Sequence, residues 1–220
     1  DIRAYMDTQT PFPERETQEI TWKLTPDAKS LFGRIIALAR ESIDRSQGKS
    51  TFQQRIHWWS ALALLRAVAS SPAAAAATLR SRATGLDNPD DLPLVDELGR
   101  QSVFDLTDME GMDALDTIPG ADTADMETDS SEQDRFRRRL RDLAKSAEAL
   151  FGAEDSKLQG MISLAKKLLS EGYAPIIFCR FIHTAEYLAE HLRTALRGVE
   201  VMDVTGMLPP SEREFRVQEL

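Results

Sequence analysis

Apolar residues recur at helical spacing over most of the chain and alternate or run together only in three short stretches. Leu31, Phe32, Ile35, Leu38, Ala39 and Ile43 mark one face of a first helix. Its start is written as Thr25-Pro26-Asp27: an N-cap hydroxyl, a proline at the first helical position and an acid in the first turn. Phe52, Ile56, Trp59, Leu62 and Ala63 predict a second helix over residues 52–69, interrupted by Ser70-Ser71-Pro72. Residues 73–83 form a third on alanine propensity alone, closed by Gly85. Phe136, Leu140, Leu143, Ala147 and Leu150 make another helical stripe, and Asp155 caps a helix carrying Leu158, Met161, Ile162, Ala165, Leu168 and Leu169, ending at Gly172. Residues 184–197 form an amphipathic helix stopped by Gly198, and Ser211 with Glu214 reads as the capping box of a last one. The strand-like stretches are 19–24, 174–179 and 199–204. Strand, helix, strand over 174–204 is a βαβ unit with a right-handed crossover, and residues 19–24 are expected to join the same sheet.

Between residues 86 and 134 this periodicity fails. Pro89, Pro93 and Pro119 fall there, and residues 87–134 hold 16 Asp/Glu against one basic residue, Arg100. That composition predicts an acidic, largely flexible insertion. The formal net charge of −9 therefore misleads, because the rest of the chain carries 26 basic and 20 acidic residues. The objection that acidic proteins repel nucleic acid applies to the insertion and not to its flanks. Directly after it, Arg135, Arg137, Arg138, Arg139 and Arg141 cluster; Arg137, Arg138 and Arg141 are candidates to touch either DNA phosphates or the acidic segment, which would then act as an internal DNA mimic.

Several chemistries are excluded or set aside. No apolar run approaches the roughly 18 residues a membrane span needs, so no membrane partner is expected. The single cysteine, Cys179, excludes a disulfide framework and a cysteine-rich zinc site, and points to a reducing cytoplasm. His57, His183 and His191 make no metal cluster. Asp1-Ile2-Arg3 carries neither an initiator methionine nor a signal peptide and reads as a cut. Gly48-Lys49-Ser50 imitates a P-loop, but Ile43 stands where the first glycine belongs and a helix precedes it; Leu94-Val95-Asp96-Glu97 imitates a Walker B strand behind Pro93. Trp58 and Trp59 are adjacent on a helix, so one of the two should pack inward.

The order of motifs after Asp155 resembles the start of the second RecA-like lobe of Swi/Snf-type, superfamily 2 helicase-like ATPases. Asp155-Ser156-Lys157 opens a helix, the run ending Phe178-Cys179-Arg180-Phe181 resembles motif IV, and Thr205-Gly206 followed by Ser211-Glu212-Arg213 comes one βα unit later. Phe12-Pro13-Glu14-Arg15-Glu16, Leu24-Thr25-Pro26, and Leu64-Leu65-Arg66 running to Pro72 are similar to the family's inter-lobe stretch. About 170 residues, all except the insertion, take part in the resemblance.

The resemblance implies an α/β fold: a partial RecA-like parallel sheet, with a mainly helical N-terminal half. It divides the chain into a strand plus helical inter-lobe region (1–85), the insertion (86–134), and a connecting helix with the first part of the second lobe (135–220). It further implies a parent enzyme that hydrolyses ATP with Mg and moves along double-stranded DNA, with RNA polymerase or phage-defence proteins as partners of bacterial members. The Walker A lysine and Walker B acids would precede Asp1, and motifs V and VI would follow Leu220. No catalytic residue is therefore expected here, and no bound cofactor or metal. Arg180, His183 and Thr184 after the first strand, and Thr205, Gly206, Ser211 and Arg213 after the second, are the implied DNA-backbone contacts, at loop-to-helix starts where free N–H groups attract anions. The rival reading is a non-enzymatic interaction module whose acidic segment engages a basic partner.

Overall fold

The computed structural model describes residues 17–48, 50–85 and 130–219, and helix makes up 71% of them. Four helices form one packed layer: α1 (Pro26–Arg45), α2 (Thr51–Ser70), α3 (Pro72–Gly85) and α4 (Ser130–Glu148). The first begins as its sequence dictates. Thr25 is extended, its hydroxyl accepts from the Ala28 amide at 3.3 Å, and Pro26 takes the first helical position. Leu31, Ile35 and Leu38 then meet Leu64 of α2, Leu79 of α3, and Phe136, Leu140 and Leu143 of α4. Enclosing a leucine fully, as here, is worth about 1.5–3 kcal/mol relative to leaving it in water.

Three pairs fix α1 and α4 as antiparallel: Arg34 with Ser146, Glu41 with Arg139, and Arg45 over the Phe136 ring. The alanine run of α3 is central. Ala74, Ala75 and Ala76 are buried, and their small side chains let neighbouring helices approach closely. Arg82, 2% exposed, donates to the Ser60 carbonyl at 2.6 Å and hydroxyl at 2.7 Å, which couples α3 to α2 as antiparallel neighbours and gives a charge that water cannot reach two acceptors.

Glu41 joins two elements, accepting from Arg45 one turn along α1 and from Arg139 of α4. Burial alone would raise its carboxyl, but the hydrogen bonds from Arg139 and Arg45 outweigh that and hold it below its ordinary value. A depressed carboxylate stabilises the fold above its ordinary titration range, and that contribution is lost as pH falls through the folded value. The group is nearly half exposed, so solvent screens the gain. Glu41→Gln is expected to cost less than about 1 kcal/mol at pH 7. The cost should shrink as pH falls, and urea unfolding of both proteins at pH 7 and pH 3 checks this; a difference no smaller at pH 3 would refute the assignment.

The second half builds on two further helices, α5 (Ser156–Ser170) and α6 (Ile182–Ala195), with α7 (Pro210–Glu219) following. Leu158 and Ala165 of α5 pack on Tyr187, Leu188 and Leu192 of α6 and on Leu196. A Schellman-type turn closes α5: Gly172 takes φ +88°, and the Tyr173 amide returns to the Leu168 carbonyl at 3.0 Å.

Here the structure corrects the expected fold class. Among the described residues there is no strand and no sheet, so the α/β reading with a partial RecA-like parallel sheet does not hold. Residues 174–179 and 199–204 are extended, as their β-branched and apolar side chains favour, but a sheet also needs a hydrogen-bonded neighbour, and none pairs with them there. Ile177, Cys179 and Val201 turn in against α5 and α6, whereas Ile176 and Phe178 remain 79% and 91% exposed. Residues 19–24 likewise join no sheet, and Ile20 and Trp22 stand partly exposed. Two helix starts also move: α6 begins at Ile182 with Phe181 as its cap, in place of Thr184, and α7 begins at Pro210, which puts Ser211 inside the helix and not at its cap. The insertion up to Asp129 lies outside the described residues, as does the stretch 12–16.

Candidate nucleic-acid interface

Phe181 fixes the start of α6. Its ring is 2% exposed and packs on Ala67 of α2 and Ala74 of α3, at the elbow between those helices. Ser71 caps α3: its hydroxyl accepts from the Ala74 amide at 3.0 Å, with Pro72 next in the chain. The Thr184 hydroxyl reaches both Ser71, at 2.7 Å, and Ser70, at 2.8 Å. Two helix N-termini therefore meet through three hydroxyls. Those hydroxyls carry three protons, of which the two links use two. One proton is left over from these links.

Lys157 completes the elbow from the α5 side. Its ammonium donates to the carbonyls of Ala69 at 3.0 Å and Ser70 at 2.8 Å, the end of α2, where a cation complements the helix dipole. It also lies 5.1 Å from the centre of the Trp22 ring, which holds the N-terminal segment against the elbow. Burial pushes the Lys157 ammonium below its ordinary range, offset in part by the Asp155 charge. The Cys179 thiol nearby is raised by burial, as expected of a half-buried small side chain rather than a reactive one.

The implied contact residues divide on this geometry. Arg180 is exposed at the entry to α6, and Thr184 has its hydroxyl in the elbow. His183 is instead turned to Glu186, its Nδ1 lying 3.3 Å from the carboxylate. In the second set Thr205 is buried, Gly206 sits in the following turn, and Ser211 is exposed on the first turn of α7. Arg213 is half-buried, and its Nε has no hydrogen-bond partner. Of the α4 arginines, Arg137 pairs with Asp134 and Arg139 with Glu41, while Arg135, Arg138 and Arg141 are exposed. Trp58 is 60% exposed on α2.

Asp203 was not singled out from the sequence, yet it organises the approach to α7. Arg193 of α6 pairs with its carboxylate and donates to the Val201 carbonyl at 2.9 Å, and Arg216 of α7 donates to the Asp203 carbonyl at 2.9 Å. Ser70, Ser71 and Lys157 were missed as well, although Ser71-Pro72 is a cap signature readable in the chain.

Gly48 takes φ +87° in a turn joining α1 to α2, with the Ser46 hydroxyl donating to the Ile43 carbonyl at 2.6 Å. A phosphate-cradling loop follows a buried strand, whereas this turn follows α1, so Gly48 and Ser50 do not fit a nucleotide. Among the described residues no group of histidine, cysteine, aspartate or glutamate is set to hold a metal ion, and no helix is long and apolar enough to cross a membrane. Comparison with protein-family models, with curated proteins and with solved structures finds no match to this chain.

Proposed function

We propose that this chain is part of a Swi/Snf-like, DNA-dependent ATPase and that it meets the backbone of duplex DNA at the starts of α6 and α7. The observation that carries the reading is the elbow. Two helix N-termini converge on Ser70, Ser71 and Thr184, with one hydroxyl proton to spare and the exposed Arg180 guanidinium at its entry. Oriented N–H dipoles and a guanidinium suit a phosphate oxygen. The order of motifs from Asp155 to Arg213 supports the family. ATP and Mg belong to the parent enzyme on this view, as does motion along the duplex.

Duplex binding measured across a salt series tests the proposal. Arg180→Ala and Arg213→Ala are each expected to weaken binding to any duplex sequence and to reduce the slope of log affinity against log salt by about 1. Failure of the 220-residue chain to bind duplex at low salt, or an unchanged slope in both variants, would overturn it.

A further inference from the structure

An open recess lies along α6, next to the elbow but with the opposite chemistry. It has a volume of about 460 Å³, and Phe151, Glu186, Tyr187, Glu190 and His191 are on its lining, with His183 beside them. Three rings line up along one wall. Phe151 and Tyr187 have centroids 5.2 Å apart, Tyr187 and His191 4.5 Å, and both pairs are tilted. Phe151 keeps 39% of its surface exposed, whereas Tyr187 is buried and held by its hydroxyl.

Carboxylates dominate the polar groups on this lining. His191 Nδ1 lies 2.8 Å from the Tyr187 carbonyl, which can only accept, so Nδ1 carries a proton. Nε2 faces Gly152, where a Cβ would lie 3.6 Å away. Glu186 and Glu190 are exposed and one helical turn apart, on the same face of α6. The nearby donor, His183, is already directed at Glu186.

We infer that this recess binds an arginine side chain presented by a partner peptide. Its volume is that of a small-ligand site. Two carboxylates repel phosphate, which separates this face from the DNA reading and makes the inference independent of it. A guanidinium fits better than an ammonium because it is planar, spans two acceptors at once and stacks on a ring face.

The test is a nuclear magnetic resonance titration of the 220-residue chain with acetyl-Gly-Arg-Gly-amide, against the same peptide carrying citrulline, which has the shape of arginine without its charge. The arginine peptide should shift the amides of Gly152, Tyr187 and His191, and the citrulline peptide should bind about tenfold more weakly or not at all. Glu186→Gln combined with Glu190→Gln should lower arginine-peptide affinity about tenfold while leaving the duplex salt slope unchanged. Absence of shifts at millimolar peptide, equal binding of the citrulline peptide, or full binding by a double variant that melts like the wild type would each overturn the inference. Should that variant misfold, the arginine and citrulline comparison on the wild-type chain decides alone.

Discussion

Phe181→Ala is expected to lower the stability of the chain by about 3–4 kcal/mol, the usual cost of emptying a fully buried phenylalanine site. The side chain is 2% exposed and meets Ala67 and Ala74, which are wholly buried and too small to move into the space it would leave. The cavity term therefore adds to the lost transfer energy. Phe181→Leu keeps most of the volume and should cost less than about 1.5 kcal/mol. Urea unfolding followed by circular dichroism separates the two, with the dependence on urea unchanged. The same substitution loosens the start of α6, so duplex binding should fall with it. A Phe181→Ala protein within about 0.5 kcal/mol of wild type would show that the elbow is not what seats α6.

Asp155→Ala is expected to cost about 2–3 kcal/mol, because one carboxylate serves two purposes. It caps α5, accepting from the amides of Lys157 at 3.0 Å and Leu158 at 3.2 Å, and it takes the Tyr187 hydroxyl at 3.2 Å. That hydroxyl in turn accepts from the Gly152 amide at 2.9 Å. Burial, reinforced by the Asp155 charge, raises the Tyr187 phenol above its ordinary value, so it stays protonated and remains a donor. Asp155→Asn keeps the capping oxygen and should cost about 1 kcal/mol. Tyr187→Phe should cost about 1–2 kcal/mol by leaving buried partners unpaired. Because the two side chains share one bond, a double-mutant cycle should return a coupling above about 0.5 kcal/mol; strict additivity would mean the capping and tyrosine links are independent.

Both positions show what a sequence can and cannot carry. The Asp155 cap, the Thr25-Pro26-Asp27 start and the stripe Phe136, Leu140, Leu143, Ala147 and Leu150 are local signals, and each is realised in the structure. Residues 174–179 carried a local signal too, and the backbone there is extended. Pairing is not local: whether an apolar run becomes a strand depends on a neighbour that its own residues do not specify. The alanine run of α3 failed in the other direction. Its propensity announced a helix, but with small apolar side chains all round it gave no face, and its place at the centre of the layer was illegible.

The candidate site was legible to a similar depth. Loop-to-helix starts drew attention to Arg180 and Thr184 correctly as neighbours of a helix N-terminus. Nothing within residues 180–184 pointed to Ser70 and Ser71, more than a hundred positions earlier, or to Lys157 from a third helix. His183 faces Glu186, three residues on, a local pairing that the sequence spacing allowed. The recess along α6 was hidden for the same reason: its rings come from two segments, and only the fold sets Phe151 beside Tyr187.

The elbow has a mechanical corollary. The link between α5 and α6 on one side and the α2–α3 pair on the other contains a seated aromatic ring, a hydroxyl bonded on both sides and an ammonium clamped across two carbonyls. Such a joint has little compliance, since sliding any one part breaks the others and close-packed interiors transmit strain instead of absorbing it. A pull on Arg180 would thus reach the four-helix layer as a rigid displacement, with the stiffness of a bearing and not the slack of a tether.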